Sequence, residues 1–288
     1  MLVSLSRPVA FAVLLSWTAL GGGAAWADEP SLPAADWAER YRWGGEELYY
    51  SIEILEAEAA RCAIALGHPI ETEEWGIAVP MEGLAMSVGL FGAVYSMHDT
   101  ATTYVSPTTG LPLSATKEID ERGLWRQYEV TYDREHFHTD VARTREGRTD
   151  RSRRYTPSDI HDAISWMVDL RSRDLSVGRE YVYHVFDGWK LSRLTGRVIG
   201  HTDVYTELGM IEVAEIEFER EVLASHHPTP YADEIVDLPP VYIVSGEPER
   251  LGVGWFSLDE RRLPVGVEIE SPIGHLRMIL DRWEPPSP

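Results

Sequence analysis

The sequence is short of cysteine, of lysine and of long apolar runs. Cys62 is its one cysteine, so no disulfide can form within the chain, and a fold of this length must rest on its core. Lys117 and Lys190 are the only lysines among 26 basic residues, set against 47 acidic ones. The formal charge of −21 repels nucleic acid and anionic headgroups, which excludes a DNA- or RNA-binding role. Beyond the first 27 residues no stretch is apolar enough to span a bilayer. Catalytic patterns are lacking too. No Gly-x-Ser-x-Gly elbow occurs, and the sequence asks for no cofactor.

What is present begins with an export signal. Arg7 supplies a positive n-region, Val9 to Leu20 are almost all apolar, and Gly21, Gly22 and Gly23 break any helix. Ala25-Trp26-Ala27 places small residues three and one positions before a cut, and acidic Asp28 and Glu29 follow. This is the pattern of a cleavable secretory signal over residues 1–27, too short to serve as a membrane span. Asp28 stands where lipid attachment would need a cysteine, so the product is expected free in the periplasm. Losing the signal removes one arginine and leaves a formal −22. A hydrophobic share of 44% is ample for a core, so the acidity describes a solvated surface rather than disorder.

Residues 28–45 read as a leader rich in Ala, Pro and Trp. From Glu46 the pattern turns to period two: Leu48, Tyr50, Ile52 and Ile54 alternate with polar neighbours, the mark of a half-buried strand. Similar strands are expected over Arg61–Leu66, Thr100–Val105, Leu113–Asp120, Leu124–Tyr132 and His136–Ala142. Residues 84–95, apolar with glycines, suggest a short helix across a barrel end. Residues 143–154, dense in arginines and acids, read as an exposed loop. Thr156-Pro157-Ser158-Asp159 resembles a helix start, and Ile160, Ile164, Met167 and Val168 recur at helical spacing; a helix is expected over about 157–172. Strands return at Tyr181–Phe186 and Leu191–Val198 around Asp187-Gly188, a hairpin signal. Thr202–Leu208 and Met210–Arg220 pair around Gly209. Residues 222–248, with five prolines, form a loop or insertion. Three last strands cover Gly252–Ser257, Leu263–Glu270 and His275–Trp283, and residues 284–288 are a disordered tail. The expected architecture for 46–283 is therefore one mainly β domain: a single strongly curled antiparallel sheet or half-barrel with one clear helix packed on it.

Several pieces of the sequence are distinctive in combination. They are Gly45-Glu46-Glu47-Leu48-Tyr49-Tyr50, Tyr95-Ser96-Met97-His98-Asp99, the run Ser158 to Ser165 with Leu170-Arg171 after it, Phe186-Asp187-Gly188-Trp189-Lys190-Leu191, and Trp255 to Val265. Together they resemble the DUF3108 family of exported bacterial proteins, over roughly residues 44–283. The resemblance implies an envelope protein with a curled sheet, similar in fold to half-barrel lipoprotein carriers. It brings no catalytic residues, since none are established for the family, and a shared fold does not settle function.

The chemistry-bearing clusters have ordinary explanations beside the sharper ones. His136, His138 and Asp140 alternate along a strand and could converge on a metal, yet any exposed strand face shows the same alternation. Ser158, Asp159, His161 and Asp162 hold hydrolase residue types, but adjacent helix positions diverge, and acids near a helix start have an electrostatic reason to be there. His226 and His227 are a surface pair, and Cys62 a buried thiol. The aromatic load is heavier than usual. Trp125, Tyr128, Tyr132, Tyr181, Tyr183 and Trp255 are expected on strand faces, either lining an apolar cavity or packed into a closed core. The reading that follows is an exported envelope protein, not an enzyme, binding an apolar, lipid-like ligand or a protein partner. The alternatives are a structural or assembly factor and a hydrolase built on carboxylates.

Overall fold

A computed structural model describes residues 41–226, 241–271 and 274–286. The export signal, residues 28–40 of the leader, residues 227–240 of the expected insertion with His227, and the last two residues lie outside the described residues. The strands, in chain order, are β1 (Glu46–Ile54), β2 (Ala57–Leu66), β3 (Ile70–Thr72), β4 (Gly76–Ser87), β5 (Met97–Val105), β6 (Pro112–Glu121), β7 (Leu124–Asp133), β8 (His138–Arg145), β9 (Arg148–Tyr155), β10 (Glu180–Phe186), β11 (Leu191–Thr206), β12 (Gly209–His226), β13 (Val241–Val244), β14 (Glu249–Ser257), β15 (Pro264–Ser271) and β16 (Gly274–Glu284). Two short helices, α1 (Gly89–Val94) and α2 (Ser165–Arg171), interrupt them, and a 3-10 turn at Tyr41–Trp43 precedes β1.

These strands make one large antiparallel sheet in the order β10-β11-β12-β14-β15-β16-β1-β2-β4-β5-β6-β7-β8-β9, with β13 beside β12 and β3 beside β4. The first and last strands are neighbours: Leu48 faces Trp283 and Ile54 faces Leu276. The sheet does not close, and β9 and β10 are its two ends. It curls strongly nonetheless. Ile119, Tyr128, Val130 and Val141 from β6–β8 share a buried cluster with Phe186, Leu191 and Leu223 from β10–β12, which the right-handed twist of so many strands makes possible. Close packing along the curl is visible at Phe218. Its ring lies over Gly196 on β11 and Gly254 on β14, where added Cβ atoms would stand 2.8 Å from it.

Part of the interior is occupied by the chain itself. Residues 156–175 run between the two ends of the sheet. Ile160 joins the cluster of β6–β8, Ile164 and Val168 join that of β1, β2, β4 and β15, and Trp166, Leu170 and Leu175 join that of β10–β12. This segment is the plug of the curled sheet. Burial at all of these apolar positions stabilises the fold by roughly 1.5–3 kcal/mol for each large side chain.

Four local expectations are corrected by the structure. The helix expected over 157–172 spans only Ser165–Arg171. Before it the chain is held extended: the His161 N–H donates to His184 O and the Phe186 N–H to His161 O, at 2.8 Å each, forming a parallel bridge between His161 and Val185. The helix start is set instead by Asp162, whose Oδ1 accepts the N–H groups of Ile164 and Ser165, while Ser165 Oγ accepts the Asp162 N–H; this is a reciprocal cap. Residues 143–154 are not a loop. They hold the end of β8, a two-residue turn and most of β9. Seven of the eight β9 residues are exposed, so no apolar alternation could mark the strand. Residues 222–226 continue β12 and 241–244 form β13. In the segment 84–95, Leu84–Ser87 finish β4 and only Gly89–Val94 are helical.

Candidate functional site

Two buried polar centres stand out, and sequence patterning alone located neither. The first is an ion pair at the end of α2. Arg171 and Glu46 are both fully buried, with Arg171 Nη1 2.5 Å from Glu46 Oε2 and Nη2 2.9 Å from Oε1. Arg171 also donates to the carbonyls of Arg262 at 2.8 Å and Arg261 at 3.0 Å. Its guanidinium lies 4.1 Å from the centre of the Trp43 ring. The indole N–H of Trp283 donates to Glu46 Oε1 at 2.8 Å, and that of Trp43 to Arg261 O at 3.1 Å. The planar guanidinium fork suits this many acceptors. One charge pair thereby ties together the end of the leader, β1, α2, the β14–β15 turn and β16.

The plug carries further polar anchors. Asp162 accepts from the Thr103 hydroxyl on β5. Thr156 Oγ1 and Thr139 Oγ1 are 2.8 Å apart. The Tyr183 hydroxyl donates to Asp169 Oδ2 at 3.0 Å, and Arg173 Nε donates to the same oxygen at 2.7 Å. Asp159 sits 3.0 Å from His184 Nδ1, and that contact, with smaller help from His161, holds its carboxyl below the usual range despite burial.

The second centre lies on the inner face of β5–β7. Asp99 on β5, 1% exposed, accepts the backbone N–H of Asp120 at 3.2 Å. Burial, and then the neighbouring Glu121 charge, push its carboxyl up to about 7. Glu121 is raised by burial, opposed by Arg126, whose guanidinium donates to it. The other Glu121 oxygen, Oε1, is buried with no hydrogen-bond partner among the described residues. Burial first, and then both acids, push the Tyr95 hydroxyl up to about 12. A carboxyl that changes charge near neutrality can carry a proton, but at this exposure Asp99 cannot touch a substrate in this conformation.

The residues singled out in the sequence are distributed as follows. His136 lies in the turn between β7 and β8, not in a strand, with Nδ1 2.9 Å from Asp133 Oδ1. His138 Nε2 is 3.5 Å from Asp140 Oδ2, and Asp140 is held by Arg153 at 2.8 and 3.0 Å. Among the described residues no group of three His, Cys, Asp or Glu side chains is placed to hold a metal. The six aromatic candidates fall at different places in the sheet. Tyr128 and Tyr132 pack in one cluster, Tyr181 and Tyr183 in a second against the plug, and Trp255 in a third. Trp125 is 40% exposed; three residues from Tyr128, it falls on the opposite face of β7. Cys62 packs partly buried, and burial pushes its thiol up to about 12. The signal that could have found the ion pair was present: two opposite charges, Glu46 and Arg171, inside otherwise apolar patterns.

The pieces converging on that pair are Gly45-Glu46, Leu170-Arg171 and Arg261-Arg262. A family model described as a protein of unknown function, DUF3108, matches residues 47–281. The chain belongs to the DUF3108 family. The DUF3108 match begins one residue after Glu46 and takes in the plug, both sheet ends and β16 up to Asp281. Among solved structures, the chain is similar to a β-barrel-like protein of a domain of unknown function, DUF1849, from Brucella abortus. The two are 10% identical, with 85% of this chain and 98% of that one covered and a TM-score of 0.49. A candidate lipoprotein from Parabacteroides distasonis is 9% identical, with coverage of 84% and 96% and a TM-score of 0.31. A candidate exported protein with a YmcC-like fold from Bacteroides fragilis is 8% identical, with the same coverage and a TM-score of 0.28. Among curated proteins nothing matches the chain.

Proposed function

We propose that this is an exported protein of the bacterial cell envelope that acts by non-enzymatic binding of a partner at its outer surface, as a structural or assembly factor. The observation that carries this reading is the plug. Residues 156–175 occupy the inside of the curled sheet and are fixed there by Glu46, Thr103, Thr139 and Tyr183, so the surface left for recognition is the outside. Export is supported by residues 1–27, whose charge, apolar length and Ala25-Trp26-Ala27 ending fit a signal cleaved before Asp28. Cleavage there would release the protein into the periplasm without a lipid anchor. An apolar, lipid-like ligand would have to displace Trp166, Leu170 and their neighbours to enter. A carboxylate hydrolase would rest on Asp99 and Glu121, whose burial sets them out of reach.

Crosslinking in the exporting cells, followed by identification of the joined residues, tests the proposal. A protein partner crosslinked reproducibly to outward-facing residues is the expected result. Native mass spectrometry of protein from its own envelope showing one lipid bound per chain would overturn it in favour of the ligand reading.

A further inference from the structure

The two ends of the sheet are finished differently. At β10 the chain covers its own edge: His161 bridges to Val185 through two backbone hydrogen bonds, and Asp159 pairs with His184. At the other end β9 pairs with β8 on one side, and with no strand on the other among the described residues. Its turn holds Glu146 and Gly147 at φ of 52° and 74°, the left-handed pair that a two-residue hairpin needs. With Arg145 and Arg148 closing that turn, the antiparallel alternation points the N–H and C=O groups of Thr149, Arg151 and Arg153 away from β8. Although β12 comes near β9, these groups have no backbone partner among the described residues and form an open row of donors and acceptors.

The side chains along this row are equally unusual for the molecule. In a chain of formal charge −21, the hairpin from His138 to Tyr155 holds six arginines against three acids. Three of the arginines are engaged: Arg145 with Glu146, Arg148 with Asp150, and Arg153 with Asp140. Arg143 stacks between the rings of Tyr128 and Trp189. Arg151 and Arg154 are exposed and make no ion pair among the described residues. By strand alternation they lie on opposite faces of β9, so a strand laid along the edge would meet positive charge on both of its faces.

We infer that the outer edge of β9 is a docking site for an extended acidic segment of a partner protein, which adds to the sheet as a further strand. Backbone hydrogen bonding to the open row gives the register, and carboxylates on the segment meet Arg151 and Arg154. A second copy of this chain is disfavoured, because two β9 edges would set arginines against arginines. An anionic lipid surface cannot satisfy alternating backbone donors and acceptors, and apart from Tyr155 β9 carries no large apolar side chain to insert. Charge on an edge strand also guards against uncontrolled pairing. Here the same arginines that prevent self-association would select an acidic strand.

The inference rests on the proposed action through the outer surface, and its test is separable from that one. The probe is a seven-residue peptide of alternating Glu and Val, capped at both ends. Its controls are the Lys–Val counterpart, the Glu–Val peptide N-methylated along one edge, and vesicles of phosphatidylglycerol. Binding by fluorescence anisotropy should favour the acidic peptide by at least about tenfold over the lysine one. It should weaken by a similar factor in Arg151→Glu/Arg154→Glu, and fall further with added salt. Because both positions are exposed, that variant should retain the parent melting temperature. Bound peptide should slow hydrogen exchange at Thr149, Arg151 and Arg153. Equal binding of the N-methylated peptide would reduce the site to charge alone and overturn strand addition. Binding to vesicles without binding to the peptide would overturn it in favour of lipid, and binding to neither would dismiss the edge as a purely protective one. A crosslinked partner mapped elsewhere on the outer surface, with β9 inert, would sink this inference and leave the proposed function standing.

Discussion

At the scale of single residues, Glu46 and Arg171 are the sharpest test of how the fold is held. Each is fully buried and each is the other's charge partner. Removing one strands the other in the interior, so Glu46→Gln or Arg171→Met alone should cost about 3–5 kcal/mol, read from urea unfolding. The double variant Glu46→Gln/Arg171→Met should cost clearly less than the two singles together; simple additivity would show that the pair is not a unit. Asp99 makes a different prediction, through pH. Its folded carboxyl is raised to about 7, above the ordinary value, so the folded state holds a proton that the unfolded chain has already released. Stability from this group is therefore lost as pH rises from about 4 to about 7, with a slope approaching about 1.4 kcal/mol per pH unit. Asp99→Asn should abolish that slope. The variant should match the parent near pH 4 and be the more stable of the two at pH 8, as measured by thermal melts across the range; parallel curves would remove Asp99 as the cause.

At the scale of elements, the joint between β14 and β15 is tight. Gly252 has a φ of +151°, and a Cβ added there would run into the carbonyl oxygen of Glu268 on the neighbouring strand. Gly252→Ala should destabilise the protein by about 2–3 kcal/mol and loosen exchange protection along β14 and β15 first. How far such elements could be read from the sequence depended on how each strand is buried. Strands with one dry face, such as β1 with Leu48, Tyr50 and Ile52 inward, showed in the alternation. The hairpins of β10–β11 and β11–β12 showed through Asp187-Gly188 and Gly209. Strand β9 did not, because both of its faces meet water. The plug was misjudged for the opposite reason. Ile160, Ile164 and Val168 are all buried, but Ile160 lies against β6–β8 while Ile164 and Val168 lie against the β1, β2, β4 and β15 wall, so their spacing mimics one helical stripe. Asp162 is visible in a cluster of reactive types; only the three-dimensional path reveals it, with Ser165, as a cap. Asp99 faces Ile119 and Glu121 faces Met97, which makes the two acids diagonal neighbours on one face of β5 and β6; they are 22 positions apart in sequence, and nothing local couples them.

At the scale of the whole molecule, the export reading predicts a definite product. Protein recovered from the envelope fraction should have Asp28 as its first residue by intact mass, and no attached lipid; retention of residues 1–27 would return the signal to the role of an anchor. The sheet order adds a consequence in time. Because β1 lies between β2 and β16, the strand made first has an unfilled side until the strand made last arrives. Its contacts are thus among the most distant in sequence that the chain can make, and such topologies fold slowly. Partial chains, whether on the ribosome or halfway through a translocation channel, cannot complete this sheet. On the proposed export route, the protein would stay unfolded enough to be threaded until its final strand had passed, and the arrival of Trp283 beside Leu48 would be the event that ends its journey.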